Sequence, residues 1–257
     1  MSTRIVSWFS CGAASAVATK LALEVADVAD DFVIAYCEVK EEHPDNRRFL
    51  LDCQEWFGHP VTVMGNDDYN RSIYEVFRKT RYLKGPSGAA CTRLLKKEVR
   101  KRFQRDSDVQ VFGYTSEEGK RMDNFIDSNP DAHVWPVLIE KGVSKQDCLA
   151  LINRAGIDLP EMYKLGYKNN NCIGCVKGEA GYWNKIRGDF PDAFERMSKM
   201  ETYLGRTVCK REWKENGARQ LERIPLVDLP PTLGRYSAEA DIECGIVCEY
   251  IDGELSR

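Results

Sequence analysis

Residues 4–15 read RIVSWFSCGAAS and join a buried strand directly to the start of a helix. The first seven of these residues are rich in β-branched and aromatic side chains, which is typical of a strand buried on both faces. The alanine-rich sequence that follows, as far as about Val25, predicts a helix. Because ligands of parallel α/β sheets bind beyond the carboxyl ends of the strands, we expect a ligand at the turn 10–12.

The same alternation of strand and helix continues along the first half of the chain. Further strands are predicted at residues 32–36, 61–64, 109–113 and 134–135, with helices at 45–57, 72–78 and 91–103. Alternating strands and helices imply crossover connections. We therefore predict an α/β fold with a mostly parallel five-stranded sheet flanked by helices.

The second half of the chain is predicted to be helical. Ser144 opens a helix with a capping box, and Pro191 can open another. Between them lies a polar loop, residues 168–175, that reads KNNNCIGC. We expect residues 1–140 to form the α/β portion. We expect residues 141–257 to form a helical, cysteine-bearing portion packed on it, with an irregular, mobile tail beginning at Pro230.

Charge and hydropathy exclude several classes of protein. The 257 residues include 37 Lys and Arg against 40 Asp and Glu, a net charge of −3, which excludes a polycation that binds nucleic acid by bulk charge. No apolar run approaches the roughly 18 residues that span a membrane. Residues 1–10 contain one Arg and no long apolar core, unlike a secretory signal. We expect a cytoplasmic globular protein.

The turn after the first strand is the first candidate binding site. A small-residue turn that enters a helix exposes backbone N–H groups, and the helix dipole favours an anion there. Close packing of strand on helix is the alternative reason for small residues. The residues predicted to hold a phosphate group are Ser10, Cys11, Gly12, Ala13 and Ser15.

Two basic features accompany this turn. Lys120 and Arg121 follow the fourth predicted strand, so they are candidate clamps for an anion at the same edge of the sheet. Residues 93–105 form a strongly basic helix. This helix is either a solvated face or a surface that contacts the phosphates of a nucleotide or a nucleic acid.

Ten cysteines in a chain without a signal sequence indicate metal, redox or core roles rather than disulfides. Cys172 and Cys175 are two residues apart and can chelate one metal centre, and Cys91, beside basic residues, can complete the site. Zinc, an iron–sulfur cluster, a redox dithiol and a reduced pair without metal all remain open from this spacing. The cysteines in apolar or periodic segments are predicted to be core residues: Cys37, Cys53 and Cys148.

Cys244, in the sequence ECGI at 243–246, is a candidate nucleophile on the tail. A cysteine near a glycine on such a segment can approach a bound substrate, and a cationic site would favour its thiolate. Cys248 follows four residues later as a resolving thiol, a ligand or a residue without a role.

Taken in order, these segments resemble the sulfonucleotide reductases, the phosphoadenosine- and adenosine-phosphosulfate reductases, within the adenine-nucleotide α-hydrolase fold class. Residues 9–17 are similar to the family's modified phosphate loop, and 37–45 to the segment after its second strand. Residues 113–121 look like its basic loop, and 243–246 like the terminal motif that holds the catalytic cysteine. Val247 stands where the family has a histidine.

The resemblance implies a reaction and a cofactor. The Cys244 thiolate would attack the sulfate sulfur of an adenine nucleotide, PAPS or APS, and a thioredoxin-like reductant would then release sulfite. Cys91, Cys172 and Cys175 resemble the ligands of a [4Fe–4S] cluster. Because Ala90 stands where the iron–sulfur branch has a second cysteine, Cys209 or Cys248 would supply the fourth ligand.

Two other functions remain open from the sequence. One is an enzyme of the same fold that uses ATP and a three-cysteine iron–sulfur cluster to insert sulfur into a nucleic acid, which the basic helix would hold. Ala14, in place of the aspartate of the ATP-pyrophosphatase loop, counts against that enzyme. The other is a nucleotide-binding module with a structural metal and no turnover.

Overall fold

The computed structural model describes residues 3–26, 31–85 and 88–242. The strands and helices in these ranges are, in chain order, β1 (Arg4–Trp8), α1 (Ala13–Val25), β2 (Asp31–Cys37), α2 (Asn46–Phe57), β3 (Val61–Met64), α3 (Ile73–Thr80), β4 (Lys84–Gly85), β5 (Gly88–Ala89), α4 (Ala90–Thr92), a π-helical turn (Arg93–Lys97), α5 (Glu98–Phe103), β6 (Val109–Val111), α6 (Gly119–Ser128), β7 (His133–Trp135), α7 (Val137–Glu140), α8 (Lys145–Arg154), α9 (Glu161–Lys164), α10 (Ala180–Asp189), α11 (Pro191–Leu204), β8 (Cys209–Glu215) and β9 (Ala218–Ile224).

Five strands form the central sheet in the order β3-β2-β1-β6-β7. Every pairing within it is parallel, which confirms the predicted α/β fold with a five-stranded parallel sheet. The chain builds outward from β1 to β3 and then crosses back to β6, so the direction of building reverses between β1 and β6. In open α/β sheets a crevice forms beyond the carboxyl ends of the strands at such a reversal.

Hydrophobic side chains cover both faces of the sheet. On one face α1, α2 and α8 pack with Phe9 and Phe49, and on the other Trp8 packs with Phe112 and Phe125. The three cysteines predicted to be core residues are confirmed as buried, with exposed fractions of 3%, 0% and 0% for Cys37, Cys53 and Cys148 respectively.

A third hydrophobic cluster lies in the helical portion and includes residues from both halves of the chain. Trp183 and Met197 of α10 and α11 pack in the same cluster as Ile73 and Leu95 from the first half. Conversely, α8 belongs to the second half but lies against α1 in the sheet cluster. Residues 1–140 and 141–257 therefore share cores where they meet.

The structure also contains elements that the sequence patterns did not predict. The largest is an antiparallel ribbon of β8 and β9, closed by Asn216 and Gly217 with φ values of 50° and 81°. An Asn-Gly pair between alternating side chains is a strong hairpin signal, and it was available in the sequence. The helices α6, α7, α9 and α10 were likewise not predicted.

The described part of the tail is irregular, as predicted, but it is held by hydrogen bonds. The side-chain amide of Asn184 donates to the carbonyls of Pro230 and Leu233 over 2.9 Å and 2.8 Å. Within the ranges that the structure describes, no helix is both long and apolar enough to cross a membrane.

Candidate nucleotide site and cysteine cluster

The turn between β1 and α1 is held by its own side chains. The Ser15 hydroxyl accepts a hydrogen bond from the Ser10 N–H over 3.0 Å and donates to the Gly12 carbonyl over 2.9 Å. The first intrahelical bond runs from Ala16 to Gly12, so the amides of residues 13–15 face out of the helix end. A turn fixed in this way presents main-chain donors to an anion without further ordering.

The loop after β6 lies directly against this turn. A Cβ atom on Gly113 would lie 2.6 Å from the Ser15 nitrogen and 2.9 Å from the Ala14 carbonyl carbon. Since both neighbours are backbone, only glycine fits at this position. The strand predicted over residues 109–113 ends at Val111, so Gly113 lies in the loop that follows it. This close approach brings together the loops that follow β1 and β6, the two strands between which the direction of building reverses.

The polar loop before the cysteine pair also reaches the first turn. The Asn170 side-chain nitrogen donates to the carbonyl of Cys11 over 2.6 Å and to Oδ1 of Asn46 over 2.8 Å. Asn170 is 8% exposed, and its Oδ1 is buried without a hydrogen-bond partner in the structure. On the other side of the turn, the Ala13 N–H donates to the Tyr163 hydroxyl over 3.4 Å.

Cys11, one of the predicted turn residues, is a buried structural thiol. It adopts a φ of 54° and is fully buried. Burial raises its pKa well above the ordinary value, and the nearby Glu42 carboxylate raises it further. Cys11 is therefore protonated at neutral pH and shapes the turn rather than acting as a nucleophile.

A buried ion pair lies at the carboxyl end of β2. Lys96 Nζ is 3.0 Å from Glu42 Oε1, and the same carboxylate accepts hydrogen bonds from the Tyr36 hydroxyl over 2.5 Å and Asn46 Nδ2 over 3.1 Å. Lys96 lies in the π-helical turn, a feature common near functional sites. The basic helix is therefore not one solvated face, because Lys96 and Arg100 are only 7% and 0% exposed.

Lys120 and Arg121 lie at the start of α6, immediately after the loop that contacts the first turn. Lys120 is exposed. Arg121 forms an ion pair with Glu118 and lies over the ring of Tyr114 at 5.6 Å. Both residues are at the carboxyl edge of the sheet, as expected, and their contact with an anion stays a prediction.

The structure brings four of the candidate metal ligands into one hydrophobic cluster, in which all four are buried: Cys91, Cys172, Cys175 and Cys209. The Tyr182 hydroxyl accepts a hydrogen bond from the Cys175 N–H over 2.9 Å and donates to the Cys172 carbonyl over 3.2 Å. One hydroxyl therefore fixes the backbone of both members of the Cys-x-x-Cys pair.

Lys84 introduces a cation beside these cysteines. Burial lowers its pKa, and the nearby Cys209 and Cys175 sulfurs oppose that shift. In turn, burial raises the pKa of Cys209 to about 12, with Lys84 acting in the opposite direction. Cys209 is therefore protonated near neutral pH, and metal coordination is one way in which its proton could be displaced.

The donor chemistry of this cluster fits an iron–sulfur centre, since such clusters are held by cysteine thiolates. The buried sulfurs share one core with a lysine beside them. Within residues 3–26, 31–85 and 88–242, no three His, Cys, Asp or Glu side chains are arranged to hold a metal ion. The fourth-ligand alternative Cys248 lies outside the described residues.

The chain that leads to the candidate nucleophile is anchored on the polar loop. The Ile242 carbonyl accepts hydrogen bonds from the side-chain amides of Asn171 over 2.9 Å and Asn169 over 3.4 Å. Asp241 pairs with Lys145 at 2.8 Å and with Lys168 at 3.6 Å. Cys244 itself lies outside the described residues, two positions beyond Ile242.

A cavity of about 340 Å³ lies between this anchored segment and the β4–β5 pair. Its charged and apolar lining includes Lys84, Lys177, Glu179, Glu239, Asp241 and Ile242. The Glu239 carboxylate also accepts hydrogen bonds from the N–H groups of Gly181 and Tyr182 over 2.5 Å and 3.0 Å, which caps α10. The cavity therefore adjoins both the tail and the helix that follows the cysteine pair.

The residues that join these parts were not identified from sequence patterns. Lys84, Lys145 and the group Tyr163, Lys168 and Asn170 come from three separate segments of the chain, and no functional motif marks them. The run of three asparagines at 169–171 was the available signal, because neighbouring side-chain amides outside a helix or strand indicate a loop whose side chains form hydrogen bonds with the backbone.

Comparison of the chain with protein-family models, with curated proteins and with solved structures finds no match in any of the three. The parallel five-stranded sheet flanked by helices is compatible with the fold that the resemblance implies.

Proposed function

We propose that this protein is an enzyme that binds an adenine nucleotide at the carboxyl edge of β1 and β6 and reduces its sulfate group, as sulfonucleotide reductases do. The observation that carries the proposal is a convergence of four segments. The first turn contacts the loop after β6 through Gly113 and the polar loop through Asn170, and the polar loop holds the tail at Ile242.

Of the three amides at the start of α1, the Ala13 N–H donates to the Tyr163 hydroxyl and the Ser15 nitrogen lies against Gly113. The nucleotide phosphates would bind at Ala14 and would replace the Tyr163 hydroxyl at Ala13. These donors are held in place before any ligand arrives, which limits the entropy lost on binding. Lys120 and Arg121 follow the adjoining loop and would supply positive charge to the same anion.

Cys244 would act as the nucleophile. Cys244 follows the anchored Ile242 by two positions in the sequence, and two residues of extended chain span at most about 7 Å. Its thiolate would form a bond to the sulfate sulfur while the bond from sulfur to the phosphate oxygen breaks. The nucleotide leaves with that electron pair, and the enzyme retains an S-sulfocysteine.

Release of sulfite requires two electrons from outside the chain. A thioredoxin-like dithiol would attack the Cys244 sulfur and displace sulfite, and its second thiol would then close a disulfide and regenerate the Cys244 thiol. The dithiol is oxidised and the sulfur of the sulfo group is reduced, so atoms and electrons balance.

Cys91, Cys172 and Cys175, with Cys209 or Cys248, would hold an iron–sulfur cluster in this proposal. The cluster would organise the site without changing its oxidation state. Tyr182 holds the Cys172 and Cys175 backbone, and the Cys209 and Cys175 sulfurs favour the charged form of the buried Lys84. Binding of the cluster would therefore require the cysteine side chains to move together, since no three of the described ligands are arranged to hold a metal ion.

Anaerobic turnover with PAPS, with APS, and with ATP plus nucleic acid tests the proposal. We expect sulfite from one of the two sulfonucleotides in the presence of a dithiol reductant. Without reductant, mass spectrometry of the native protein should show one added sulfo group on Cys244. Cys244→Ser should lose turnover by several orders of magnitude and keep nucleotide binding.

Cys148→Ser is the matched control, because Cys148 is a cysteine buried in the sheet cluster. It should keep turnover at a level near that of the native protein. Full activity in Cys244→Ser would refute the role of Cys244. Modification of a nucleic acid that depends on ATP, without sulfite formation, would replace the reductase with a sulfur-inserting enzyme of the same fold.

A further inference from the structure

The ribbon of β8 and β9 projects from the helical portion as an exposed arm. Only its base is in the core, where Cys209 and Ile224 are 2% and 7% exposed. Every residue from 210 to 219 is exposed. Seven residues per strand give the arm a length of about 20 Å.

The two faces of this ribbon differ in charge. Side chains alternate along each strand, and the register pairs Lys210 with Arg223 and Lys214 with Arg219. Four cations therefore share one face, which we call the basic face, with Leu221 and the single carboxylate of Glu212. The other face carries Arg211, Trp213, Glu215, Ala218, Gln220 and Glu222.

The carboxylate on the basic face neutralises only part of its charge. The Glu212 carboxylate forms an ion pair with Lys210 at 2.5 Å and a second ion pair with Arg219. No ion pair is described for Lys214 or Arg223 in the part of the chain that the structure covers. On the opposite face, Arg211 stacks over the Trp213 ring at 5.6 Å.

We propose that the basic face of this ribbon binds the phosphate backbones of duplex DNA. Side chains on one face of a strand repeat about every 7 Å, and a two-stranded ribbon fits the major groove of B-form DNA, which is about 12 Å wide. The major groove of an RNA duplex is too deep and narrow for the same element. A ribbon exposed on both faces is also only marginally stable alone, which favours a partner.

This inference does not rest on the proposed reductase activity. The net charge of −3 excludes binding through bulk charge, so DNA contact requires a local surface of this kind. Sulfonucleotide turnover by the enzyme should be unchanged when the ribbon is altered, so failure of either proposal is visible separately.

Fluorescence anisotropy with a labelled 20-base-pair DNA duplex tests the basic face in the full-length protein. We expect micromolar affinity at about 50 mM salt, as for non-specific binding, and a steep loss of affinity as salt increases. The variant Lys210→Gln/Lys214→Gln/Arg219→Gln should bind at least about tenfold more weakly. Its slope against the logarithm of salt concentration should be smaller by about 3.

A control variant removes the same charge elsewhere. Lys164→Gln/Lys199→Gln/Arg211→Gln alters two exposed helical lysines and the cation on the opposite face of the ribbon. It should bind DNA within about twofold of the native protein, and thermal melting should show both variants folded. Equal weakening in both variants would overturn the proposal, because net charge alone would then explain binding.

Other probes decide the identity of the partner. Tighter binding of a single strand or an RNA duplex than of duplex DNA would overturn the assignment. So would no binding of DNA at about 50 mM salt. If DNA did not bind, two further results would reassign the ribbon. Binding of the native protein to phosphatidylserine vesicles that the ribbon variant lost would assign it to a membrane. Self-association in ultracentrifugation that the ribbon variant lost would assign it to a second copy of the chain.

Discussion

The side-chain amide of Asn170 donates a 2.6 Å hydrogen bond to the main-chain carbonyl of Cys11, although the two residues are 159 positions apart in sequence. This bond joins the loop before the cysteine pair to the turn between β1 and α1. Through this bond the loop before the cysteine pair can influence the geometry of the predicted phosphate site.

Replacing Asn170 should therefore weaken the fold. Asn170→Ala removes the donor to both Cys11 and Asn46 and leaves two buried oxygens without their partner. The free energy of unfolding should fall by about 1–3 kcal/mol, measured by urea denaturation. Asn124→Ala is the control, because Asn124 is exposed on α6, and it should change stability by less than about 0.5 kcal/mol.

Gly113 should tolerate no side chain, whereas Gly12 should tolerate a small one. A Cβ on Gly113 would meet the Ser15 backbone at 2.6 Å, so Gly113→Ala should cost about 1–3 kcal/mol in unfolding free energy. The nearest atom to a Cβ on Gly12 is the Tyr163 hydroxyl at 3.4 Å. Gly12→Ala should thus be neutral or stabilising by up to about 1 kcal/mol, and equal losses would contradict the close approach of the two loops.

A larger side chain at Gly12 should interfere with nucleotide binding. The outward-facing amides of α1 begin directly after this residue, so the branched side chain in Gly12→Val would occupy space that a phosphate group needs. Calorimetry should show weaker nucleotide binding by a protein that remains folded. Unchanged affinity would place the phosphates elsewhere.

The buried cysteine cluster should bind iron. Anaerobically purified protein should be brown, with about four irons per chain if the cluster is a cubane. Serine in place of Cys91, Cys172 or Cys175 should abolish or greatly reduce the iron content, while Cys148→Ser should retain it.

Two further variants, Cys209→Ser and Cys248→Ser, test the fourth ligand. The variant that loses iron identifies the cysteine that supplies it. Stoichiometric zinc without iron after anaerobic reconstitution would instead indicate a structural zinc site. Iron retained in all three single serine variants of the preceding test would exclude these cysteines as the ligands.

Asp45 should stabilise the fold in a pH-dependent way. Arg48, which donates to this carboxylate over 2.7 Å, holds the pKa of Asp45 below its ordinary value. The Glu161 N–H, which donates over 2.9 Å, acts in the same direction. A lowered folded-state pKa stabilises the protein above the unfolded value of about 3.9, and this contribution is lost as the pH falls through the folded-state pKa.

The variant Asp45→Asn should consequently be less stable than the native protein at pH 7. The difference should shrink as the pH falls from about 4 through the folded-state pKa, below which both the folded and the unfolded native protein bind the proton. Urea denaturation of both proteins between pH 7 and the acidic end of this range measures the difference in their free energies of unfolding. Asp131→Asn, at an exposed position, should stay within about 0.5 kcal/mol of the native protein, and a constant difference for Asp45→Asn would contradict the electrostatic explanation.

The amino-acid sequence by itself determined the five strands of the sheet and the flanking helices α1, α2 and α8, although not α6. The apolar run at residues 61–64 was predicted as a strand with the same bounds that β3 has in the structure. The capping box at Ser144 opens α8 as predicted. These signals are local, because side-chain periodicity and helix caps depend on residues only a few positions apart. The Asn216–Gly217 turn carries an equally local signal, which makes the β8–β9 ribbon predictable in principle.

Only the tertiary structure decided which distant residues meet. Asn170 reaches Cys11, and Gly113 lies on the backbone of Ser15. No periodicity encodes these contacts, because they arise where separate elements converge at the carboxyl edge. Burial then sets the chemistry: it keeps the Cys11 thiol protonated, an outcome that the same residue in an exposed turn would not share.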